Sequence, residues 1–220
     1  MTVRTVQFAD RLDAGRRLAE LLEPLRPQRP VVVGMARGGV PVAHEVARIL
    51  GAILDVVVVR KLGHPHQPEL GLGALGEEGV RVVNEPLVAK LAVPPDVIEE
   101  VARREGAELE RRRHAYRGDR PAVDVTGRPV VVVDDGLATG FTARAAVEVV
   151  RRRHAAGVIL AVPVGSPGAV ASLERVADEV VCLETAGGFS GISEWYRDFD
   201  QVSDDEVARL LADPVTRVNR

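Results

Sequence analysis

"VVVVDDGLATGFT", Val130 to Thr142, runs four β-branched residues into two carboxylates, then into a loop with two threonines, two glycines and no basic group. Four valines in a row suit a strand buried on both faces. Adjacent carboxylates at its end repel unless hydroxyl donors or a cation lie between them. In a parallel α/β sheet, ligands gather outside the carboxyl ends of the strands, where the next helix exposes unpaired amides. Thr139, Gly140, Phe141 and Thr142 occupy that place. Gly140 lets the backbone approach an anion closely, and the loop's hydroxyls and amides can donate to it. Sugar hydroxyls can donate to both carboxylates, and a magnesium ion can bridge carboxylate and phosphate. Asp134 and Asp135 thus ask for a ligand with a ribose diol, a phosphate and Mg²⁺. The plain alternative is an acidic strand end that caps the following turn.

The flanking chain alternates strands with helices. "FADRLDAGRRLAELLEPL" places Phe8, Leu12, Leu18, Leu21 and Leu22 at helical spacing. Val31 to Val33 reads as a short buried strand, followed by a Gly-rich turn and a helix from near Pro41. "ILDVVVVRKLG" reads as a second strand closing on Arg60 and Lys61. Residues 62–79 hold five glycines and two prolines and read as a long mobile loop. "PPDVIEEVARREGAELERRRHAY" reads as a long charged helix, a surface on which a homodimer could form. "ARAAVEVVRRRHAA" and "PGAVASLERVA" supply helices, and "VILAVPVG" and "EVVCLE" supply strands. Strands apolar on both faces between helices predict an α/β fold, a Rossmann-like, mostly parallel sheet of about five strands covered on both sides. After Glu184 the Gly-rich "TAGGFSGISEWYRDFDQ" breaks the pattern, and a last helix runs over about 203–212.

Composition narrows the function classes. With 220 residues, 46% hydrophobic and 28% charged, the chain reads as one globular domain. A net charge of -3 argues against general nucleic-acid binding. Cys182 is the single cysteine, so no intramolecular disulfide can form. The first residues lack the apolar run of a signal peptide and no stretch is long enough to span a bilayer, which predicts a cytoplasmic protein without membrane contact. Arginine predominates over lysine, which makes Lys61 conspicuous. The two "RRRH" tracts, 111–114 and 151–154, read as solvated helix ends, and His44 as a helix-surface residue.

Four apolar residues, two acidic ones and "GLATGFT" resemble the phosphoribosyl pyrophosphate (PRPP) motif of type I phosphoribosyltransferases. The resemblance extends over about residues 30–185, the expected core of a single domain over 1–220. It implies that Asp134 and Asp135 hold the ribose 2- and 3-hydroxyls and that Ala138, Thr139, Gly140, Phe141 and Thr142 wrap the 5-phosphate. "GMARGGVP", Gly34 to Pro41, resembles the family's pyrophosphate loop, implying diphosphate contacts from Arg37, Gly38 and Gly39. Arg60-Lys61 is similar to the pair that opens the flexible catalytic loop of orotate and adenine phosphoribosyltransferases. Neutralising a departing pyrophosphate and excluding water are what such a lid would do. Here the loop carries His64 and His66 in place of further cations, and they are positively charged only when protonated. Glu69, Glu77 and Glu78 are candidate bases that would swing in with it.

The segment over about 186–202, with help from the N-terminus, is the expected hood. Phe189, Trp195 and Tyr196 could stack on a heterocyclic acceptor there; the plain alternative is that Trp195 and Phe199 just pin the C-terminal segment to the core. An aspartate inside the PRPP loop of 6-oxopurine enzymes is replaced by Ala138, which disfavours hypoxanthine and guanine. The chain looks like a bacterial group of phosphoribosyltransferases whose acceptor is not assigned. The expected activity is Mg²⁺-dependent transfer of 5-phosphoribose from PRPP to a nitrogenous small molecule, with Mg²⁺ carried by PRPP and touching Asp134 or Asp135. The other reading is a PRPP- or nucleotide-sensing regulator without turnover.

Overall fold

The computed structural model describes residues 8–185 and 191–214. Seven strands form one sheet in the order β4-β3-β2-β1-β5-β6-β7. They are β1 (Val31–Ala36), β2 (Ile53–His64), β3 (Gln67–Gly76), β4 (Arg81–Val83), β5 (Pro129–Val133), β6 (Gly157–Gly165) and β7 (Glu179–Thr185). The helices are α1 (Arg11–Leu22), α2 (Gly39–Leu50), α3 (Glu85–Lys90), α4 (Pro95–Arg117), α5 (Phe141–Arg152), α6 (Pro167–Leu173) and α7 (Asp204–Ala212).

The five strands expected from the apolar runs are the parallel ones, with β1 flanked by β2 and β5. Along them, alternate side chains enter different cores. Val32, Val131 and Val133 pack with residues of α1, α2, α4 and α7, whereas Val31, Val33, Val130 and Val132 pack with α5 and α6. Each fully buried valine contributes roughly 1.5–3 kcal/mol relative to leaving it exposed, which is why a continuous valine run selects the sheet's centre. Helix ends follow local chemistry. Asp10 caps α1 by accepting the Asp13 amide at 2.7 Å, and Gly51 (φ 63°) ends α2 in the left-handed region.

The expectation of a loop over residues 62–79 is corrected. Most of it is β3, which pairs antiparallel with an extended β2 and carries β4 on its outer edge. Gly63, Gly71, Gly73 and Gly76 conceal the alternation that would mark a strand. The missing side chains serve close packing, since a Cβ on Gly73 would overlap the Val82 carbonyl. The register of β1 ends with Ala36 opposite Val58, so Val59 to His64 carry the β2–β3 hairpin about 20 Å past the end of β1.

Two smaller readings also change. His44 is buried, with Nε2 2.8 Å from Asp213 Oδ2, because the last helix covers the face of α2 that carries it. The first "RRRH" tract lies inside α4, and Arg153 of the second is an anchor at the base of the sheet. No helix among the described residues is long and apolar enough to cross a membrane.

Candidate functional site

Strand order runs outward in both directions from β1, so the helices after β1 and β5 lie on opposite faces and a crevice opens between them. Such a switch point is where open α/β sheets bind ligands. Both motifs singled out in the sequence empty into it. The turn after β1 leads through Gly38 and Gly39 into α2, and the acidic pair follows β5 directly. The two loops touch. A Cβ on Gly38 would overlap the Asp135 carboxylate, and one on Gly39 would overlap the Val133 carbonyl and come within 2.8 Å of Asp134 Cα. Glycine is required at both by close approach. The Ala36–Arg37 peptide bond just before them is cis.

Asp134 is half-buried and Asp135 is buried at 8% exposure. Asp134 Oδ1 accepts the Asp135 amide at 2.9 Å, and Asp135 Oδ2 accepts Arg11 Nε at 2.9 Å. Asp134 Oδ2 and Asp135 Oδ1 take no hydrogen bond from another residue among those described. Burial, reinforced by the neighbouring Asp135 charge, pushes the Asp134 carboxyl well above the ordinary aspartate range. Burial also raises Asp135, against the opposing pull of the Arg11 guanidinium. Both carboxyls are thus short of positive charge and of donors.

Beyond them, Leu137 donates to the Val164 carbonyl at 2.9 Å, and Ser166 Oγ donates to the Ala138 carbonyl at 2.8 Å, fixing the loop against the end of β6. Ala138 and Thr139 are exposed, and Phe141 and Thr142 are half-buried. Gly140 (φ 82°) opens α5 without a side-chain cap, so the first-turn amides point outward as unpaired donors. Leu173 and Ala169 press on Gly140 from behind.

The expected cations lie less directly at hand. Arg37 Nη1 is 3.7 Å from Asp204 at the start of α7, a carboxylate that also accepts Tyr116 Oη at 2.7 Å and Arg111 Nη2 at 2.9 Å. Arg60 is tied to Glu105 of α4 at 2.7 Å. Alternation along β2 sends Lys61 to the other side, where Nζ meets the carbonyl and carboxylate of the exposed Glu69 at 2.5 and 3.2 Å. His64 and His66 face each other at the hairpin tip, with ring centroids 5.8 Å apart. Among the described residues, these hairpin groups bond within the hairpin or to α4 and not to the acidic pair.

Two candidate bases are corrected. Glu77 is buried at the foot of the hairpin, where it accepts Val58 N at 2.7 Å, Arg117 Nη1 at 2.6 Å and Arg153 Nη2 at 2.8 Å. Glu78 pairs with Arg153 Nε at 2.6 Å. Neither can swing with a tip at the far end of β3. Tyr196 is likewise a brace. It is 4% exposed, packed between Phe8 and Phe199, and its hydroxyl donates to the Asp135 carbonyl at 2.7 Å. No ring face is left for stacking. Trp195 is half-buried in the same cluster, and Phe189 lies outside the described residues.

What the sequence reading missed is Arg11, one of many arginines in an ordinary amphipathic pattern with no spacing to mark it. Phe8 pairs with residues 195–197 in an isolated bridge, Phe8 N to the Trp195 carbonyl at 3.0 Å and Arg197 N to the Phe8 carbonyl at 2.9 Å. That pairing delivers Arg11 to Asp135.

The donor set suits a hard divalent cation held mainly by its ligand. No group of three or more His, Cys, Asp or Glu among the described residues could hold a metal. The two free carboxylate oxygens could complete the shell of a Mg²⁺ ion that arrives with a diphosphate and keeps its waters.

The phosphoribosyl transferase domain model matches residues 8–197. Two Mycobacterium tuberculosis proteins, from strains CDC 1551 / Oshkosh and ATCC 25618 / H37Rv, both provisionally named phosphoribosyl transferases, are each 50% identical over 204 residues. The match covers 93% of this chain and 46% of theirs, so the chain spans about half the length of these curated relatives. The crystal structure of TT1426 from Thermus thermophilus is similar with a TM-score of 0.77 and 45% identity, covering 93% of this chain and 97% of that one.

Proposed function

Because the chain belongs to the phosphoribosyl transferase family, we propose that it transfers 5-phosphoribose from PRPP to a nitrogenous small molecule and releases pyrophosphate. One observation carries this reading. Two half-satisfied carboxylates, each with a free oxygen, stand between a glycine loop and an uncapped helix N-terminus. Each free oxygen can accept one hydroxyl of a vicinal diol. The amides of residues 138–142 then receive the 5-phosphate, and Gly38 and Gly39 bring the β1 loop against the same sugar.

Bound Mg²⁺ would supply charge neutralisation to the diphosphate. Arg37, 3.7 Å from Asp204 in a loose pair, can turn to the same group. Lys61 can exchange its bond to the exposed Glu69 for a phosphate oxygen. In the reaction the bond from C1 of the ribose to the pyrophosphate oxygen breaks and the electron pair leaves with pyrophosphate. The acceptor nitrogen forms the new bond to C1, and its proton leaves with the departing pyrophosphate. With Arg60 held by the part-buried Glu105, Lys61, paired only with the exposed Glu69, is the hairpin cation more readily released, and folding of the hairpin over the crevice would exclude water.

The test is calorimetric titration of PRPP with Mg²⁺ into the wild type and Asp134→Asn/Asp135→Asn, followed by a pyrophosphate-release assay over purine, pyrimidine and pyridine acceptors. Binding by the wild type alone, with release for one acceptor class, is expected. Binding without release from any acceptor would move the assignment to a PRPP sensor. A wild type that does not bind PRPP would overturn the reading.

A further inference from the structure

We propose that Arg11 is the positioning residue of the acidic pair, holding the Asp135 carboxylate in its ligand-ready orientation and fastening the 196–200 segment to it. The inference rests on the donor-site reading above.

The guanidinium makes three different contacts while only 12% exposed. Nε donates to Asp135 Oδ2 at 2.9 Å, and Nη1 donates to the Asp200 carbonyl at 2.8 Å. Its Cζ lies over the Phe199 ring, 3.8 Å from the centroid. Two donors at a fixed angle and a flat stacking surface are properties of arginine that lysine lacks. The backbone that presents it is fixed on both sides. At the start of α1 Asp10 Oδ1 accepts Asp13 N at 2.7 Å and Asp13 Oδ2 accepts Ala9 N at 3.1 Å, and Asp198 N donates to the Ala9 carbonyl at 2.9 Å.

What Arg11 holds is a side chain with little room to choose. Asp135 packs directly on Gly38, its carbonyl takes the Tyr196 hydroxyl, and only Oδ1 is left for a ligand. Without Arg11 the carboxylate would lose its one cation and be free to rotate away from the Gly38 loop. The hood segment would keep only the Tyr196 hydroxyl as its link to Asp135. Arg11 Nε and Nη1 are committed to Asp135 and Asp200, so a positioning role should appear in affinity for PRPP and not only in folding.

PRPP affinity with Mg²⁺ and thermal melting would be measured for the wild type, Arg11→Met, Arg11→Lys, Asp135→Asn and Arg11→Met/Asp135→Asn. Arg16→Met, an exposed arginine on the same helix, is the control. Arg11→Met is expected to weaken PRPP binding on the order of tenfold or more, as loss of an outer-shell partner does. Arg11→Lys should recover only part of this, and the double variant should bind no worse than Asp135→Asn alone. Arg16→Met should bind as the wild type. A folded Arg11→Met within twofold of wild-type affinity would overturn the inference while leaving the donor site standing. If Arg11→Met does not fold, Arg11→Lys at wild-type affinity would overturn it. A wild type that does not bind PRPP would overturn the donor-site reading itself, a distinguishable failure.

Discussion

Among the described residues, two pairs of carboxylates set at or within the core are treated in opposite ways. At the foot of the hairpin, Asp55 accepts Val56 N at 2.8 Å, Val123 N at 2.9 Å and Arg117 Nε at 3.2 Å. Glu77 beside it accepts Val58 N, Arg117 and Arg153. Arg117 also donates to the Val56 carbonyl. All four carboxylate oxygens are occupied, and the flanking acids hold the Arg117 guanidinium firmly charged despite its burial. At the carboxyl end of β5, Asp134 and Asp135 share one arginine, and two of their four oxygens are left open. Saturated buried charge fixes the geometry of a fold. Unsaturated buried charge is held there by the surrounding structure and is relieved when a ligand arrives.

The difference predicts opposite responses to losing a charge. Arg117→Met leaves the buried Asp55 without its cation and Glu77 with Arg153 alone, and should cost about 3–5 kcal/mol in chemical denaturation, the usual result of removing one partner from a buried ion network. An effect below about 1 kcal/mol would mean that the two pairs are not distinct in kind. Gly38→Ala forces a methyl group into the Asp135 carboxylate and should cost about 1–3 kcal/mol as overpacking, together with PRPP affinity.

Asp134→Asn should do the reverse at the site and raise stability at pH 7 by about 0.5–2 kcal/mol while abolishing PRPP binding, as relief of a strained functional site does. The sign follows from linkage. An aspartate whose folded pKa is raised binds more protons in the folded state, so its contribution is most favourable below the unfolded pKa and is lost as pH rises through the folded value. The advantage of Asp134→Asn should therefore be present at neutral pH and fade on acidification toward pH 4, measured by denaturation at both. An advantage that grows in acid would reverse the assignment of Asp134 as the unsatisfied member. Lys61→Ala should change stability by no more than about 0.5 kcal/mol, because its pair with Glu69 is exposed, and should act only on pyrophosphate release.

Much of this was legible before any coordinates. The valine runs fixed the parallel strands, because an apolar stretch without alternation can be covered only from both faces. The "DDGLATGFT" stretch located the acidic pair and the loop that opens the next helix, because strand, acids, glycine and helix start are contiguous in the chain. The hairpin was lost to its glycines, which removed the alternation while allowing the close packing that makes it a strand. Glu77 and Tyr196 were misread for a related reason. A glutamate or tyrosine in a glycine-rich stretch carries no local sign of the arginines or the carbonyl that will claim it.

The sequence by itself determined the fold class, the family resemblance and the chemistry offered at the end of β5, all of which depend on residues near one another in the chain. Only the tertiary structure decided which charges are satisfied. Arg11 meets Asp135 across 124 positions and Arg117 meets Asp55 across 62. Whether a buried carboxylate is an anchor or a binding group depends on such distant partners, since burial sets the energetic cost and the partners brought in by folding set how much of it is left for a ligand.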